Sequence, residues 1–161
     1  MLIIVEKFVK RILELLEIRE TTRLSIMQKE MNTSGDRLFI KAKTVRIKAV
    51  DCIFLDSLLS GEITEIQKWL DRAHSYGVEI ELELFDSGAP WLSYEQIAEL
   101  DYPLFSKDGK QLVHIPENVI CFRDVVLLQL GSTLCKYKKQ LMTTLAREEL
   151  QKKQIEIIER V

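Results

Sequence analysis

Apolar residues recur at spacings of three and four at the start of the chain. Val5, Phe8, Val9, Ile12, Leu13 and Leu16 alternate with Glu6, Lys7, Lys10, Arg11, Glu14 and Glu17. That is one apolar stripe on an amphipathic helix, which continues toward Met31 or breaks near Thr21-Thr22. Asn32-Thr33-Ser34-Gly35-Asp36 reads as a loop. The period then changes to two. Leu38, Ile40 and Ala42 share one face and Val45, Ile47 and Ala49 share a face, so residues 38–50 read as strand. Between Lys43 and Thr44 the phase slips by one residue, which a β-bulge would absorb.

Cys52–Leu59 is apolar and fits either type of element. A helix is predicted over 62–76, with Ile63, Ile66, Trp69, Leu70 and Ala73 on one side and Gly77 as its C-terminal stop. Val78, Ile80, Leu82 and Leu84 alternate with Glu79, Glu81 and Glu83, the clearest strand signal in the chain. Ser93 and Gln96 form a capping box that starts a short helix at Tyr94. Asp108-Gly109 between Leu104-Phe105 and Leu112–Ile115 reads as a hairpin, with Val119–Phe122 as a third strand. From Asp124 to Val161, leucines at 127, 130, 134, 141 and 145, with Tyr137, predict a long helix, interrupted at most at Gly131-Ser132.

The expected fold is α+β. A mostly antiparallel sheet is flanked by an N-terminal helix and a long C-terminal helix, with an open α/β sheet as the alternative. One domain would cover residues 1–146, and residues 147–161 would form the projecting end of the last helix. Deletion of 148–161 should then leave the fold intact. The Lys41, Lys43, Arg46 and Lys48 face and the Glu79, Glu81 and Glu83 face predict that the two strands are neighbours with an ion-paired surface.

Charge and composition narrow the function. With 23 basic and 25 acidic residues the net charge is −2, so the basic excess usual in nucleic-acid binders is absent. A local basic group of Lys136, Lys138, Lys139, Arg147, Lys152 and Lys153 keeps nucleic-acid association as an alternative. Three widely spaced cysteines, Cys52, Cys121 and Cys135, point to free thiols and a cytoplasmic setting. The apolar start is followed at once by charge and lacks the form of a signal peptide, and no stretch approaches a membrane span. His74 and His114 have no Cys or His partner at metal-ligand spacing, so no metal and no cofactor is expected. No phosphate loop, nucleophile elbow or dinucleotide fingerprint occurs.

Val45-Arg46-Ile47, then Ile53-Phe54-Leu55-Asp56-Ser57, then a helix ending at Gly77 and a strand, together resemble the core of STAS domains over residues 45–84. The resemblance implies that the Asp-Ser pair opens a helix after a central strand. It also implies that Ser57 is a candidate phosphorylation site of a regulator. Asp86-Ser87 is a second Asp-Ser pair after an apolar strand.

The leading functional expectation is a non-catalytic module for protein interaction or assembly, working through its amphipathic terminal helices. Leu141, Leu145, Leu150, Ile155 and Ile158 would bind a protein partner or a second copy, giving a homo-oligomer.

Overall fold

The computed structural model describes residues 1–161. Helix α1 (Leu2–Thr21) leads into β1 (Arg23–Met27), α2 (Arg37–Lys41), β2 (Thr44–Val50), α3 (Cys52–Leu59), α4 (Glu65–Ser75) and β3 (Glu79–Leu84). Next come α5 (Tyr94–Glu99), β4 (Leu104–Phe105), β5 (Gln111–His114), β6 (Val119–Ile120) and α6 (Phe122–Val125). The chain closes with β7 (Thr133–Tyr137), β8 (Leu141–Met142), α7 (Thr144–Lys152) and β9 (Glu156–Arg160).

Seven strands form one sheet in the order β1-β2-β3-β4-β5-β7-β9, and β6 pairs with β8 separately. Within the large sheet only β4–β5 is antiparallel. The mostly antiparallel sheet is therefore corrected to a mostly parallel mixed sheet, in keeping with the open α/β alternative. Helix-bearing crossovers join most of its parallel strands, as parallel pairing requires.

The long C-terminal helix is also overturned. Gly131, at φ +71°, turns the chain before Thr133, and Gln154, at φ +56°, ends α7. Leu134 and Cys135 sit on opposite faces of β7 and enter different cores, which a strand buried on both sides demands. The leucine spacing imitates a helix because strands, turns and a short helix happen to place leucines three, four or seven residues apart. Residues 147–161 do not project. They complete α7 and form β9, which pairs with β7 from Thr133↔Glu156 to Tyr137↔Arg160.

Residues 37–41 are helix rather than strand. Phe39 packs edge-on against Trp69 of α4, with ring centroids 4.9 Å apart. This helix-to-strand junction accounts for the phase slip. The irregularity in β2 lies later, between Ile47 and Val50, where Ala49 takes φ +59°. Gly77, at φ +70°, stops α4 in the left-handed conformation that glycine enters most cheaply.

Ile47, Leu82, Leu104 and Leu112 lie across the sheet in register and enter the larger core with residues of α3, α4 and α5. On the opposite face Val113, Leu134 and Ile157 align and meet α6 and α7 in a smaller core. The covering helices thus change sides across the sheet. The β2–β4 part of that second face carries Arg46, Glu81, Glu83 and Phe105 instead. Strands β2 and β3 are neighbours, and Arg46 lies 2.8 Å from Glu81.

Candidate interaction surface

The residues expected to bind a partner separate into two groups. Leu150 and Ile155 are buried in the smaller core, and Ile158 is half-buried on β9 against the larger one. Their apolar character serves the domain's own packing, and a folded chain does not offer the two buried ones to a partner. Leu141 and Leu145 remain at the surface, 67 % and 64 % exposed. Val119 faces Leu141 across the β6–β8 pair and is also exposed.

Ser57 does not open a helix. Asp51 does, its side chain accepting from the Phe54 amide, and Ser57 falls six residues later, near the end of α3. The Ser57 hydroxyl donates to Thr64 Oγ1 at 3.2 Å, and Asp56 accepts from Gln96 at 3.1 Å. The pair ties α3 to its neighbours, which corrects the placement implied by the STAS resemblance. Asp86 likewise holds its own loop, accepting from the Ala89 amide and the Trp91 indole.

The basic group is dispersed. Lys136 is buried on β7 beside Glu159 at 3.3 Å. Lys153 donates to the carbonyls of Val125, Val126 and Leu128. Lys138, Lys139, Arg147 and Lys152 are exposed on a turn and on α7.

His114, Cys121 and Cys135 do not gather into a metal-holding group. All three thiols are free, and burial pushes that of Cys135 up to about 11. His74 stacks on Tyr102, and His114 meets the edge of Tyr94. Burial holds the His114 pKa below the ordinary value of 6.5. As pH falls through 6.5 the unfolded chain takes up this proton before the folded one does. Stability from the neutral imidazole is therefore present above that pH and declines below it. The drop in thermal midpoint from pH 7.5 to 5.5 should be smaller in His114→Gln than in wild type. Equal drops would remove His114 as a cause.

Helix α1 is the feature that the domain does not use. Its 20 residues include none that is buried. Most helical stability in proteins comes from a packed apolar face rather than from propensity. Here the face is bare: Phe8 is 66 % exposed and Ile12 55 %. Only the C-terminal end is fastened. Arg19 donates to the carbonyls of Phe39 at 3.2 Å and Tyr76 at 2.6 Å, and Thr22 caps back to Ile18. The stripe was visible in the sequence. That it stays uncovered was not, because a stripe has the same spacing whether its own sheet or another chain covers it.

Open hollows of mixed lining mark the surface. One of about 700 Å³ runs along α4, lined by Asn32, Glu65, Lys68, Trp69, Asp71 and Arg72. Hydrogen bonding to Lys68 holds the Glu65 carboxyl below its ordinary range. A family model described as "Putative propanediol utilisation" matches residues 7–156. Comparison with curated proteins and with solved structures gives no match.

Proposed function

We propose that this chain, which belongs to the propanediol-utilisation-like family, is a non-catalytic assembly module that docks through α1. The observation that carries the reading is the bare helix: 20 residues with an apolar stripe and no buried side chain, tethered at one end. Contiguous apolar surface on that scale is rare on a free-standing domain and marks a contact site. The non-catalytic part rests on the sites themselves. Asp56, Ser57, Asp86, Lys136 and Lys153 are engaged in internal hydrogen bonds, and the hollow along α4 holds an exposed Glu65–Lys68 pair one helical turn apart. The family description, "Putative propanediol utilisation", supports growth on propanediol as the setting of this reading.

The test is complementation. A propanediol-using host that lacks this chain should grow more slowly on propanediol and recover with the full-length protein. A chain without residues 2–18, or with Val9→Glu and Ile12→Glu together, should not restore growth. Both variants should keep the thermal midpoint within about 2 °C, because α1 adds no buried surface to the domain. Full rescue by the truncated chain would overturn the reading.

A further inference from the structure

The charges on α1 divide by position. Its first half carries Lys7, Lys10 and Arg11 against Glu6, and its second half carries Glu14, Glu17 and Glu20 against Arg19. Arg19 is already engaged with the two backbone carbonyls of its own domain. The helix is thus basic toward its free end and acidic toward its root. Along the apolar side, Leu2, Val5, Val9, Ile12 and Leu16 repeat at alternating spacings of three and four, the pattern of a helix–helix seam.

We infer that the occupant of this seam is α1 of a second copy, packed antiparallel. This rests on the docking role proposed above and names its partner. In an antiparallel pair each basic half lies beside an acidic half at both ends. A parallel pair sets basic beside basic and acidic beside acidic. The tether gives the same answer. Each domain hangs from the C-terminal end of its helix, so antiparallel pairing holds the two domains about 30 Å apart, whereas parallel pairing puts both at one end. The contact is self-complementary about a two-fold axis and closes as a dimer.

Light scattering after size exclusion should show a dimer for the full chain at micromolar concentration. Lys7→Glu, Lys10→Glu and Arg11→Glu together make both halves of α1 net acidic, and Glu14→Lys, Glu17→Lys and Glu20→Lys together make both net basic. Either set alone should weaken self-association about 5-fold at low salt, and the effect should fade at high salt. Both sets in one chain exchange the two halves and should restore the dimer. Dimerisation unaffected by either single set, or lost in the combined chain, overturns the antiparallel pairing. A monomeric full-length chain whose growth rescue still needs α1 overturns the self-pairing and leaves the docking role standing. A dimer through α1 in a chain whose rescue does not need α1 does the reverse. Circular dichroism of each variant checks that the domain itself is unchanged.

Discussion

Removing residues 148–161 is expected to unfold the protein. The deletion takes the end of α7 and all of β9, and with them Leu150, Ile155, Ile157 and Ile158. Leu150 is fully buried and Ile155 nearly so. Large-to-small changes at such sites cost ~2–5 kcal/mol each. The five-residue pairing of β9 with β7 goes as well, and it opens one side of a strand whose Leu134 and Cys135 are both fully buried. Together the losses are on the order of 10 kcal/mol, against a usual total stability of roughly 5–15 kcal/mol. The truncated chain should lack a cooperative thermal transition, and Leu150→Ala alone should lose ~3–4 kcal/mol in urea titration. A soluble truncated chain with a wild-type melting curve would show that β9 is dispensable. The opposite ends of this chain are thus unlike. Loss of residues 2–18 should be silent for stability, and loss of residues 148–161 should be fatal.

That contrast shows what the sequence could and could not convey. Local signals read correctly wherever a single backbone requirement fixed them. Gly77 stops α4 because few other residues take positive φ cheaply, and Ser93 with Gln96 opens α5 with both reciprocal bonds in place. The Asp108-Gly109 turn joins β4 and β5 as the one antiparallel step. Strand direction was not legible, because alternation along Glu79–Leu84 is the same whether its neighbours run parallel or antiparallel. The C-terminal third was misread for a related reason. Strands buried on both faces lose the alternation of two, and Thr133–Tyr137 is such a strand, with four of its five residues buried. With the period of two erased, the spacing between leucines of separate elements filled the gap. The expected docking residues inherited that error. Leu150 and Ile155 looked like an apolar face on a polar helix, whereas each is the inward side of a short element. The N-terminal stripe escaped the error because α1 is a helix, and its exposure follows from topology that no local pattern encodes.

Arg46 is expected to be the most sensitive polar residue of the domain. Parallel strands ordinarily have both faces covered, yet over β2 and β3 one face carries charge in place of apolar packing. Arg46 seals it. Its guanidinium approaches Glu81 at 2.8 Å and Glu83 at 3.6 Å, and its carbon centre lies 3.9 Å over the Phe105 ring. The Glu81 side chain is only 12 % exposed and that of Arg46 23 %, so both ions are largely removed from water. Removal of one member leaves its partner desolvated and unpaired, which is why such changes cost more than the pair contributes. Arg23 offers Glu81 a second contact at 3.5 Å, but from a side chain 69 % exposed, and this softens the loss without cancelling it. Arg46→Ala should therefore destabilise by ~3 kcal/mol in urea titration. Arg46→Lys should recover only part of that, because an ammonium cannot reproduce the planar fork or its stacking on Phe105. Arg46→Ala with Glu81→Ala should cost less than the two single changes added together, by ~1–2 kcal/mol, since the second change removes the stranded carboxylate. Strict additivity of the two would mean that the layer is held by packing of the Arg46 stem on Phe105 and that the ion pair adds nothing of its own.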